Sequence, residues 1–119
     1  MITAIVFDLD TTLTESKSNM TPEMGGLLAR LLQKMPVAVM SGSSYAQFQK
    51  QFMVGMPRDA NLKDLYLFPT SAAQCYTWRN SEWQAIYKNL LSHEEKTKIL
   101  HALAESLKET GFDKPPPHL

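Results

Sequence analysis

The chain has 119 residues, 44% of them apolar and 20% charged, enough for one domain with its own core. Twelve Lys and Arg balance twelve Asp and Glu, so bulk charge gives no reason to expect a nucleic-acid partner. No apolar run reaches membrane-spanning length, the N-terminus has no signal-peptide pattern, and the lone Cys75 has no internal disulfide partner; a reducing cytoplasm is expected, without a membrane.

Ala4-Ile5-Val6-Phe7 is an apolar run that stops at two carboxylates, Asp8 and Asp10, followed by a cluster of hydroxyls. β-Branched and aromatic residues without polar alternation predict a strand buried on both faces. Ligands of open α/β sheets sit beyond the carboxyl ends of such strands, so Asp8 and Asp10 stand where a site belongs. Glu15 to Met20 reads as a polar loop, and Thr21-Pro22-Glu23 as a helix start with Thr21 as N-cap. Leu27, Leu28, Leu31 and Leu32 give that helix an apolar stripe, and Pro36 is expected to end it. Gly25 and Gly26, each costing about 1 kcal/mol relative to alanine, either permit close packing on the sheet or weaken the first turn.

Val37 to Met40 forms a second short buried strand, ending in Ser41-Gly42-Ser43-Ser44. A helix from Tyr45 to Phe52 sets Phe48 and Phe52 on one face, residues 54 to 64 read as a loop, and Leu65 to Phe68 is a third strand halted by Pro69. Right-handed crossovers make these three strands parallel neighbours. Gln74–Trp78 and Trp83–Tyr87 then predict an antiparallel hairpin around Arg79-Asn80-Ser81-Glu82. Ser92-His93-Glu94-Glu95 is a capping box opening a helix to about Thr110, and Gly111 sits where its C-terminal cap belongs. Residues 1–112 are expected to form the domain and 113–119 a proline-rich tail.

Two carboxylates one residue apart at a strand end can divide labour, one as nucleophile and hard-metal ligand, the other exchanging protons. A neighbouring strand that ends in Ser41 offers a hydroxyl to a phosphoryl oxygen, which suits phosphoryl transfer. The plainer reading is that Asp8 and Asp10 only form turns after the strand. Trp78, Trp83, Tyr76 and Tyr87 either pack the hairpin or stack on a sugar or base. His93, His101 and Cys75 have no partners in sequence that would make a site.

Phe7-Asp8-Leu9-Asp10-Thr11-Thr12-Leu13-Thr14 resembles the first signature of the haloacid dehalogenase superfamily, D-x-D-x-T. Val39-Met40-Ser41-Gly42-Ser43 resembles the second, a strand ending in Ser or Thr. The order of third strand, aromatic hairpin and capped helix looks like the phosphomannomutase-like and sugar-phosphatase branch. The resemblance implies a partial Rossmann-like α/β core: a parallel sheet with an antiparallel hairpin and a C-terminal helix. It also implies Mg2+-dependent phosphoryl transfer from a phosphorylated small molecule, such as a sugar phosphate, as a phosphatase or mutase. Asp8 would form an aspartyl-phosphate, and Asp10 would serve as general acid and base. Mg2+ would bind the Asp8 carboxylate and the Asp10 backbone carbonyl, Thr12 would orient the loop, and Ser41 and the Gly42 amide would hold the phosphoryl group.

Two departures bear on this. The family commonly has Gly at the position of Thr11, and a β-branched residue is strained there if φ is positive. The family's later lysine and acidic pair have no match, since Asp113 and Lys114 stand in the tail. The chain thus resembles a core truncated before the lid. Its first strand is expected to be an exposed edge, inviting a homo-oligomer or a partner fragment. The competing expectation is a catalytically inactive domain that binds phosphate or a protein.

Overall fold

Residues 1–114 are described by the computed structural model of the chain; most of the expected tail lies outside them. Two compact units are present, Met1–Asn89 and a second beginning at Leu90. The first holds one five-stranded sheet in the order β1-β2-β3-β4-β5. β1 (Ile5–Asp8), β2 (Val37–Met40) and β3 (Leu65–Phe68) are parallel and in step, so that Asp8 lies beside Met40 and Met40 beside Phe68. The chain therefore leaves the sheet at one level from all three strands. The loops that leave Asp8, Met40 and Phe68 are gathered there.

The crossovers are α1 (Pro22–Leu32) and α2 (Tyr45–Gln51). Both move in the same direction along the sheet, and right-handed connections then place both helices on one face. That face carries Val37, Val39, Leu65 and Leu67, all buried in one cluster with Leu28, Leu32, Phe48 and Phe52. Phe48 and Phe52 meet edge to face at 5.6 Å. The expectation that β1 is buried on both faces does not hold: its residues alternate between half-buried and exposed, and Val6 is 61% exposed. The physical reason is that β1 is an edge strand in a sheet whose helices cover only one side.

Thr21 caps α1 as expected, its Oγ1 accepting the Met24 N–H at 3.2 Å. The stripe is narrower than the leucine pattern suggests, because Leu28 and Leu32 are buried while Leu27 is exposed. The helix also stops at Leu32, before Pro36, which instead opens the way into β2. Gly25 is the close-packing glycine, but against a 3-10 turn at Met53–Gly55 rather than against the sheet: a Cβ there would lie 1.7 Å from the Gly55 carbonyl oxygen. Gly26 faces open space. The segment read as a loop over 54–64 contains that turn and another at Leu62–Asp64.

β4 (Gln74–Arg79) pairs antiparallel with β3 and with β5 (Glu82–Lys88). Asn80 and Ser81, at φ of +54° and +62°, make the tight turn that matches strand twist. Trp78 and Trp83 pair edge to face at 5.3 Å across the hairpin, and Tyr76 stacks on Tyr45 of α2 at 3.9 Å. These aromatics are taken up in packing. Buried Cys75 is likewise a strand residue, and burial pushes its thiol pKa up, away from nucleophilic use.

In the second unit, α3 (His93–Thr110) begins with the full capping box of Ser92 and Glu95 and ends at Gly111, φ +78°. Among the described residues no helix is long and apolar enough to cross a membrane.

Candidate active site

Beyond Asp8 the chain closes a tight turn over one carbonyl. Leu9 O accepts the N–H groups of Thr12, Leu13 and Thr14 at 3.3, 3.0 and 3.1 Å, and the Thr14 hydroxyl at 3.3 Å. Leu9 itself is fully buried beneath this turn and Leu13 nearly so, which anchors the loop in the core while Asp8 stays exposed. The turn requires Thr11 at φ +62°, the left-handed region that costs a β-branched residue about 1–2 kcal/mol. Thr11→Gly is therefore expected to raise stability by about 1 kcal/mol in urea unfolding. Unchanged or lower stability would show that the loop carries no such strain.

Asp8 lines an open cleft of about 340 Å³ with Val6, Phe7, Met40, Ser41, Gly42 and Ser71. Ser41 is buried, and its Oγ accepts the Ser43 N–H at 3.1 Å, which leaves the hydroxyl proton available to an anion. The Gly42 N–H donates to no protein acceptor among the described residues. The sheet thus brings Asp8, Ser41 and Gly42 to one cleft. Among the described residues no basic side chain lines it.

Asp10 and Thr12 are not among the residues that line this cleft. Thr12 is exposed on a separate depression shared with Thr14, Glu15, Ser18 and Met24. Asp10 is half-buried, and its Oδ1 accepts the Gln51 side-chain amide at 2.6 Å and the Lys17 N–H at 2.9 Å. The Gln51 hydrogen bond first, and the Lys17 N–H second, hold the Asp10 carboxyl below the usual carboxylate range against the opposing effect of burial. With the folded pKa lowered, this stabilisation is present above the ordinary carboxylate range. It is lost as pH falls through the lowered value.

Sequence patterns alone do not single out Gln51, Lys17 or Ser71. Gln51 nevertheless carries a legible signal, since it shares the buried helical face of Phe48 and Phe52. Ser71 comes after the end of β3 as Ser41 comes after β2, so the same strand-end logic reaches it. Its loop is laced to the β2 loop through Ser71 N–H to Ser41 O at 2.9 Å and Thr70 N–H to Ser43 O at 2.8 Å. Thr70, Ser71 and Ala72 are all at positive φ, which concentrates backbone strain at the cleft. The Lys17 amide has no sequence signal, because a backbone donor depends only on loop conformation.

A hard divalent cation fits this donor set in part. Asp8 is an exposed carboxylate, and the Asp10 carbonyl takes one hydrogen bond, from Thr11 Oγ1 at 2.6 Å, leaving a second lone pair. Mg2+ commonly keeps several waters and shares its remaining ligands with a substrate phosphate. No group of three His, Cys, Asp or Glu side chains is poised for a metal among the described residues.

No family model matches the chain. It is 37% identical over 49 residues to a probable phosphomannomutase of Caenorhabditis elegans, covering 41% of this chain and 19% of that protein. In structure it is similar to ATP-bound IMP-nucleotidase of Plasmodium falciparum, with TM-score 0.68 and 18% identity over 92% of this chain and 32% of that one. It is also similar to a haloacid dehalogenase-like hydrolase of Bacteroides thetaiotaomicron, with TM-score 0.59 and 21% identity over 89% and 38%. At these identities the likeness establishes the fold, and the expected α/β core is borne out. The chain spans about a third of the length of those structures and about a fifth of the worm protein.

Proposed function

We propose that this chain, which has the fold of the haloacid dehalogenase superfamily, serves phosphoryl transfer from a phosphorylated small molecule, by ester hydrolysis or between hydroxyls of a phosphosugar. The observation that carries this is the Asp8 carboxylate opening on the same cleft as the Ser41 hydroxyl and the Gly42 N–H, which has no acceptor among the described residues. An Asp8 oxygen attacks phosphorus in line, and its new P–O bond forms as the bond to the leaving oxygen breaks. Asp10, whose hydrogen bonds favour the carboxylate, takes up a proton as the anionic phosphate binds beside it and gives that proton to the leaving oxygen. Deprotonated Asp10 then takes a proton from water or a second hydroxyl, whose oxygen attacks phosphorus and releases Asp8. Ser41 and Gly42 hold phosphoryl oxygens throughout, and Thr12 keeps the turn after Asp10 in place. Mg2+, held by Asp8 and the Asp10 carbonyl, would neutralise phosphate charge when bound. The cytoplasm is the compartment that fits a free buried thiol.

The test is release of phosphate from a generic phosphate ester with and without Mg2+, with intact mass after acid quench to detect a phosphoryl adduct. Mg2+-dependent turnover with an adduct at Asp8 supports the reading. Absence of both leaves the second reading, a domain without catalysis that binds phosphate or a protein; among the described residues no basic side chain lines the cleft to neutralise phosphate charge, which favours the loss of catalysis.

The outer edge of β1 bears on assembly. Ile5 N–H and Leu9 N–H bond to Pro36 O and Met40 O at 3.2 and 3.1 Å, so the backbone groups of Val6 and Asp8 point away from β2. Among the described residues β1 has β2 as its one partner, and since an unpaired apolar edge recruits a further strand, we place a second copy there. Light scattering should give a mass that rises above 13.5 kDa with concentration, and Val6→Lys should suppress the rise. A constant monomer mass would remove this interface.

A further inference from the structure

Gln51 ends α2 as a polar side chain sealed in an apolar wall, 1% exposed in the same face as Phe48 and Phe52. Its Nε2 donates to Asp10 Oδ1 at 2.6 Å and to Thr14 Oγ1 at 3.2 Å, which uses both amide protons. Thr14 gives its own hydroxyl proton to Leu9 O, so toward Gln51 it can only accept, and the orientation of the amide is fixed. The Gln51 backbone carbonyl accepts the Met20 N–H at 2.8 Å, tying the far end of the same loop to α2. The other donor to Asp10, the Lys17 N–H, reaches Oδ1 as well. Oδ2 accepts no protein hydrogen bond among the described residues.

An amide at a core position costs desolvation that a leucine or methionine there would avoid. Here both amide protons go to the loop that carries Asp10. We propose that Gln51 is a positioning residue for Asp10, clamping Oδ1 so that Oδ2 is the oxygen that exchanges a proton during phosphoryl transfer. The proposal rests on the phosphoryl-transfer reading above and deepens it. Gln51 does not line the cleft and belongs to a helix outside the strand-end loops, so it acts on the chemistry through Asp10 and the loop that carries it.

Gln51→Met keeps the shape of the side chain and removes both donated hydrogen bonds. With the full chain and a generic phosphate ester, kcat should fall about 10- to 100-fold with KM unchanged, because other loops hold the phosphate. In an Asp10→Asn background the same substitution should lower kcat no further. Wild-type kcat in Gln51→Met, or an equal additional loss in the Asp10→Asn protein, would overturn the proposal. A second readout needs neither turnover nor a Gln51 variant: the Gln51 side-chain amide protons should exchange slowly by NMR and lose that protection in Asp10→Ala. Fast exchange in the wild type, or indifference to Asp10, would also overturn it. Protected amide protons in a protein without turnover would defeat the functional reading and leave the clamp standing.

Discussion

Asp8→Asn should reduce Mg2+-dependent phosphate-ester hydrolysis by about a thousandfold or more and abolish the covalent phosphoryl adduct. The substitution keeps the shape of the side chain and removes its charge, so the attacking oxygen becomes a poor nucleophile and a poor Mg2+ ligand together. Asp8 is exposed at the end of β1, and among the described residues its carboxylate makes no ion pair or side-chain hydrogen bond. The fold therefore has little to lose, and thermal unfolding should match the wild type. That pairing of lost turnover with unchanged stability separates chemistry from structure. Wild-type turnover in the variant would show that the carboxylate pair is a remnant of the turn, and the site would have to be sought elsewhere.

Gly25→Ala should destabilise the first unit by about 3 kcal/mol or more, while Gly26→Ala should stabilise it by about 0.5–1 kcal/mol. In α1 the two neighbours have the same intrinsic cost, so propensity predicts the same gain for both. The packing differs: a methyl at position 25 would lie 1.7 Å from the Gly55 carbonyl oxygen, whereas one at position 26 meets nothing within 4 Å. The obstacle is backbone, and it cannot swing aside as a long side chain would. Gly55 is itself wedged against the Met20 carbonyl, where a Cβ would come within 2.5 Å, so the turn cannot retreat either. Urea unfolding of the two variants measures this directly, and similar stabilities would mean that α1 and the 3-10 turn are not in backbone contact.

The parts of the fold legible in the sequence are those written in local chemistry. The apolar runs that end at Asp8, Met40 and Phe68 give the three parallel strands, Asn80-Ser81 gives the hairpin turn, and Ser92 with Glu95 gives the cap of α3. Which face of the sheet is covered depends on the common direction of two crossovers, which no local pattern encodes, and the expectation of a buried Val6 fails for that reason. At the site, Asp8, Ser41 and Gly42 are legible from strand ends and meet at one cleft. The partners of Asp10 are not: Gln51 is forty-one residues away and the Lys17 donor is a backbone group, so both depend on tertiary placement. Ser71 follows β3 as Ser41 follows β2, but Pro69 and Thr70 stand between it and the apolar run, and the backbone at positive φ over Thr70, Ser71 and Ala72 accompanies its place at the cleft.

Both tryptophans of the chain stand in the same cross-strand pair, Trp78 against Trp83, and neither lines the cleft beside Asp8. Tryptophan fluorescence consequently reports the hairpin and, through Trp83, its packing on the core. Tryptophan emission tracked through a denaturant titration reports the loosening of β4 and β5 and of their seat on the core, and only coincidence with far-ultraviolet circular dichroism would license treating it as unfolding of the whole unit. For ligands the same placement makes the cleft optically silent. A phosphate ester could occupy it without changing tryptophan emission, so binding has to be measured by calorimetry or by the amide resonances of Gly42 and Ser71.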